Sequence, residues 1–163
     1  MGHALLKLLD ILRLRAGPQD LPPGWAVAVV MVLAYVGQGF IADRALGETE
    51  AVPRSLLAIA VQLAAVAGLL RWRQHPERMP QTVSALAGTG FIMGLISVFL
   101  LLQADPEQPQ PGLALAYLGL FVWSLAIDAH IYRHALSITM SRGALFAVLI
   151  FAANFVLLKA VFG

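Results

Sequence analysis

The residues best equipped for chemistry fall at the end of one apolar stretch, Gly112 to His134, where Asp128, His130, Arg133 and His134 sit within seven consecutive positions. A carboxylate, two imidazoles and a guanidinium this close together suggest a metal site, an acid–base pair or an ion pair between helices. His130 and His134 are four residues apart, the spacing at which one helix presents two imidazoles to a metal, with Asp128 or His75 as further donors. Against this, Arg133 shares their face and repels a cation, while Asp128 lies on another face with Ser124 and Tyr132. No metal site and no cofactor are expected. The two histidines are expected as interfacial side chains with polar tips among lipid headgroups, where they can titrate near neutral pH. Ser124, His130 and Asp128 do not make a triad, because all lie within two turns of one helix and face different ways. With no Gly-rich phosphate loop, nucleophile elbow or carboxylate pair, no enzymatic activity is expected.

Asp128 is about 24 Å from the start of its helix at about 1.5 Å per residue, inside the edge of an apolar core, where a lone carboxylate is costly. A cation at matching depth is Arg71, so an ion pair between Asp128 and Arg71 is expected. Gln62 and Asn154 fall near the middle of their helices and are expected to bond each other across the bundle. An alternative is a polar path through Gln38, Gln62, Thr89, Ser97 and Asn154. Small residues recur at four-residue spacing in Gly90 and Gly94, and again in Ala60, Ala64 and Gly68. Such stripes let helix backbones approach closely, so they are expected to pack spans two and three together, with homodimerisation as the alternative.

The elements that must position these residues are read from the hydrophobic pattern. The chain has 163 residues, 60% of them hydrophobic and 12% charged, with a mean hydropathy of +0.80. A soluble domain cannot hide that much apolar surface. Five segments, at about 24–42, 53–71, 82–103, 112–132 and 143–162, are each near the roughly 20 residues that cross a bilayer. Residues 3–16 place Lys7, Asp10 and Arg13 along one stripe of an otherwise apolar helix, the pattern of an amphipathic helix at the membrane interface. Pro18, Pro22, Pro23 and Gly24 then break it. The fold class is therefore an all-α, polytopic transmembrane bundle forming a single membrane domain over 1–163. Short polar connections predict antiparallel neighbours.

Eight Lys and Arg lie on one side of this layout and three on the other. That bias predicts a cytoplasmic amino terminus and an outward carboxyl terminus in a cell inner membrane. Trp25 and Trp72 fall on the cytoplasmic side, and the acidic loops with Glu48 and Glu50, and with Asp105 and Glu107, face outward. The formal charge of +2 gives no reason to expect nucleic acid. With no cysteine, thiolate chemistry is excluded.

The amino-terminal helix, the turn Gly17 to Pro22 and the five short-looped spans resemble small bacterial members of the Yip1-domain family, with RAGPQDLPP and HIYRHAL as the stretches that carry the resemblance. It implies a five-span bundle acting as an accessory or scaffolding component, and it carries over no catalytic residue. The function expected from the sequence is a non-enzymatic accessory or interaction subunit partnered by the lipid bilayer and by another membrane protein or a second copy. The alternative is a small transporter or channel subunit with a polar path near Gln62, Asn154 and Asp128.

Overall fold

The computed structural model describes residues 2–45, 51–105 and 108–163, so Glu48, Glu50 and Glu107 of the acidic loops lie outside the described residues. Six helices follow one another: α1 Gly2–Leu12, α2 Trp25–Ala45, α3 Ala51–Trp72, α4 Met79–Leu101, α5 Pro111–Leu136 and α6 Met140–Phe162. Two 3₁₀ turns, Pro18–Asp20 and Pro76–Arg78, join α1 to α2 and α3 to α4. There is no strand among the described residues. Five of the helices, α2 to α6, are long and apolar enough to cross a membrane. Their surfaces fit that solvent, with Leu33, Ile41, Phe99 and Leu115 each at least 65% exposed.

Three helices stop in the same way and at the same end of the bundle. Leu14, Gln74 and Ser137 follow α1, α3 and α5 and take positive φ values of 59°, 60° and 53°. The residue after each donates back five positions, Arg15 to Asp10, His75 to Leu70 and Ile138 to Arg133, at 2.8, 2.8 and 3.0 Å. These are left-handed helix stops of the kind glycine usually supplies, built here without glycine. This is why α1 ends at Leu12 and not near residue 16, and why α5 runs on past residue 132 to Leu136.

The buried core lies towards that same end. One cluster joins Leu8 and Ile11 of α1 to Ala85 and Met93 of α4 and to Ile127 and Ile131 of α5. A second joins Val66 and Leu70 of α3 to Ala129, Tyr132 and Leu136 of α5 and Ala147 of α6. α1 is docked on α4 and α5 by one apolar face, with Leu8 seated over Gly88. Its Leu5 and Leu6 stay exposed, and Lys7 Nζ lies 3.9 Å from Asp10.

The expected pairing of spans two and three is corrected by the glycines. α4 packs most extensively on α2, and α3 touches α4 only lightly. A Cβ on Gly90 would lie 3.1 Å from the Tyr35 ring, and one on Gly94 would lie 2.6 Å from Gln38 Oε1, so the small stripe of α4 receives side chains of α2. Ala60, Ala64 and Gly68 are exposed on α3. Spacing revealed the bare stripes but not which helix would lie against them. A second close approach is Gly143 of α6, which meets the Ala129 carbonyl and the Arg133 amide of α5.

Candidate functional site

Because α2 leans on α4 while α3 stands off it, the four helices α2, α3, α4 and α5 line a half-open cavity of about 510 Å³. α2 contributes Tyr35, Gln38 and Gly39, and α3 contributes Ser55, Ala58 and Gln62. α4 contributes Thr89, Gly90, Gly94 and Ser97, and α5 contributes Tyr117, Phe121, Ser124 and Asp128. From Val83 to Ser97 the α4 wall is about 21 Å long at about 1.5 Å per residue, so the cavity occupies much of a bilayer core. Val83 and Asp128 mark its limit towards the packed end; Met93 and Ile127 of the first core cluster belong to its wall, and beyond it Ile11, Ile131, Tyr132 and Leu136 fill the interior.

Asp128 is the one charged side chain among the described residues that line this space. It is partly buried, and no ion pair or hydrogen bond to it is formed among the described residues. The expected ion pair with Arg71 is thus absent: Arg71 is exposed at the end of α3, while Asp128 opens into the cavity. Matching depth alone did not bring them together, because their helices are rotated so that one side chain points out and the other in. Tyr35 of α2 shares this cavity with Asp128, and Tyr132 follows Asp128 by four residues on α5. The Tyr132 hydroxyl is fully enclosed and has no hydrogen-bond partner among the described residues.

Of the polar path read in the sequence, Gln38, Gln62, Thr89 and Ser97 all line the cavity. Asn154 does not, and its Oδ1 is buried without a partner among the described residues, so the expected bond between Gln62 and Asn154 is not made. Thr89 Oγ1 donates to the Ala85 carbonyl at 2.8 Å, satisfied within its own helix. The Tyr117 hydroxyl donates to the Ser97 carbonyl at 3.0 Å and stands 2.8 Å from Ser97 Oγ, tying α5 to α4.

At the packed end, polar side chains secure carbonyls that helix termini leave over. Arg78 Nη1 donates to the carbonyls of His134 and Ala135 and to Ser137 Oγ, at 3.3, 3.0 and 2.8 Å. Arg73 Nε donates to the Leu136 carbonyl at 3.3 Å, so two guanidiniums sit where the α5 dipole is negative. Gln81 Nε2 donates to the carbonyls of Gln19 and Leu21, at 3.2 and 2.8 Å. The Gly17–Pro22 stretch is itself braced by Gly17 N–H donating to Asp20 Oδ2 at 2.8 Å. His130, expected at the interface, is buried instead: its Nε2–H donates 2.9 Å to the Ala16 carbonyl. His134 stacks edge-on at 4.5 Å from His130, and Gln19 Nε2 reaches its Nδ1 at 3.4 Å. These imidazoles hold the α1–α2 connection to α5, and no cluster of three metal-binding side chains occurs among the described residues.

Arg78, Gln81, Tyr35 and Tyr117 were not singled out from the sequence. For the tyrosines a signal existed, a polar tip in mid-span that needs a partner or water. For Arg78 and Gln81 there was none, since short connections always carry polar residues. No protein-family model, no curated protein and no solved structure matches the chain.

Proposed function

We propose that this is a non-enzymatic multi-pass membrane protein that admits a small solute into the cavity between α2, α3, α4 and α5, as a small transporter or channel subunit does. The observation that carries this reading is Asp128, an unpaired carboxylate at the limit of a polar-dotted cavity inside the membrane. An ionisable side chain in a span is expensive unless it meets a partner or a water-filled space, and here it meets the space. The packed end supports a cavity entered from one side, because Ile11, Ile131, Tyr132 and Leu136 of the two core clusters lie between Asp128 and that end. By the distribution of Lys and Arg, the packed end faces the cytoplasm of an inner membrane and the cavity opens outward.

The chain has no cysteine, so single cysteines report access directly. A membrane-impermeant thiol reagent added from outside is expected to label Ala58→Cys on the cavity wall. Leu115→Cys, which is 69% exposed on the lipid side, is expected to stay unmodified. Equal labelling of the two, or labelling of neither, would remove the cavity reading.

A second reading is the accessory subunit that the resemblance to the Yip1-domain family implies. A shallow apolar groove between α3 and α6, lined by Ala65, Gly68, Phe146 and Ala153, favours it, since small residues there would admit another helix. Stable co-purification of a membrane partner, lost on Gly68→Leu, would support that reading.

A further inference from the structure

We propose that the cavity binds an organic monocation, an amine with an apolar body, whose ammonium group is held by Asp128. The inference rests on the reading of the cavity as open to solutes and adds the class of solute. The charge is set by the lining: one carboxylate, with no Lys, Arg or His among the described lining residues. The basic groups nearest in sequence are turned elsewhere, since His130 donates to Ala16, Arg133 is exposed and His134 meets Gln19, and Arg71 at the end of α3 is exposed. A bound cation would therefore meet the Asp128 carboxylate without competition from the protein's own cations.

The shape and chemistry of the walls then decide between kinds of cation. A hard divalent ion takes about six oxygen ligands, several of them charged, and one carboxylate does not make such a site. An ammonium group needs one carboxylate and a few neutral acceptors, which Gln62 and Ser124 supply from facing helices. The remaining lining is mostly aliphatic and aromatic, with Tyr35 and Phe121 among it, and aromatic rings attract both a cation and an apolar body. At about 510 Å³ the cavity suits a molecule far larger than an inorganic ion.

The test uses the purified full chain in detergent, with 4-phenylbutylamine as the probe, 4-phenylbutanol as its neutral counterpart and calcium chloride as the inorganic alternative. Calorimetry is expected to show saturable amine binding that weakens by about tenfold or more in Asp128→Asn and persists in Asp128→Glu. The amine, and not the alcohol, is expected to slow labelling of Ala58→Cys in the presence of native Asp128, a readout that survives if Asp128→Asn does not fold. Equal binding of amine and alcohol, unchanged amine affinity in Asp128→Asn, or displacement of the amine by calcium would overturn the proposal. No amine binding while Ala58→Cys labels normally would overturn it as well and leave the open cavity standing. Failure of Ala58→Cys to label would instead bring down the cavity reading and this inference together.

Discussion

At one end of the bundle, the carbonyls left over where α5 stops are taken up by Arg73 and Arg78, while at the other the helices stand apart around a cavity with an unpaired carboxylate. Both ends contain polar residues in apolar helices, but they spend them differently. At the packed end each of Arg78, Gln81 and His130 reaches across to the backbone of another element, so polarity serves cohesion. In the cavity Gln38 and Asp128 face a shared space with no hydrogen bond from the described residues, so polarity remains available to something else. Polar content alone therefore does not separate structural glue from a site. The distinction lies in whether the groups have partners.

Substitutions at the two ends should differ in their cost to stability, most of all at Gly143. A side chain there collides with the Ala129 carbonyl and the Arg133 amide of α5, backbone groups that cannot swing aside. Gly143→Val should cost about 3 kcal/mol or more, read as a large fall in the detergent melting temperature or a failure to fold. Arg78→Ala comes next: it leaves two α5 carbonyls without their guanidinium partner, for an expected loss of about 2 kcal/mol in the same assay. A melting temperature unchanged by Arg78→Ala would mean that the packed end is not held by these bonds.

Gln74→Gly tests the helix stops in the opposite direction. Gln74 is exposed and holds a φ of 60°, so glycine should relieve strain and stabilise the protein by about 1 kcal/mol. The smallest effect is expected on the cavity side, at Gly94→Ala. The new methyl group meets only the end of the Gln38 side chain, which can move into the cavity, and the helix gains about 0.5 to 1 kcal/mol from losing a glycine. The two contributions nearly cancel, so the melting temperature should barely move. A loss as large as that at Gly143 would show that α2 and α4 are as rigidly interlocked as α5 and α6.

Much of this layout was legible in the sequence, because apolar runs of about 20 residues separated by Pro and Gly leave few alternatives to spanning helices. Four of the five residues read as a polar path do share one space, since a polar side chain in mid-span tends to turn inward wherever the bundle leaves room. Rotation and neighbour choice were not legible. The small stripe Gly90/Gly94 faces α2 and not α3, Arg71 points outward while Asp128 points inward, and His130 is drawn into the interior by the Ala16 carbonyl. Each depends on contacts between segments far apart in the chain, about which helical periodicity is silent. The left-handed stops at Leu14, Gln74 and Ser137 were hidden for another reason: none is the glycine by which such a stop is usually recognised.

If one half of the bundle is sealed and the other admits solutes, two serines of matched chemistry should differ in their access to water. Ser124 and Ser84 each donate a hydrogen bond to a carbonyl of their own helix, but Ser124 lines the cavity and Ser84 is fully buried at the packed end. Single cysteines at the two positions, treated in native membranes with a small impermeant thiol reagent, give a ratio of labelling rates. Ser124→Cys is expected to react faster than Ser84→Cys by about tenfold or more. Equal rates, or faster reaction at Ser84→Cys, would contradict it.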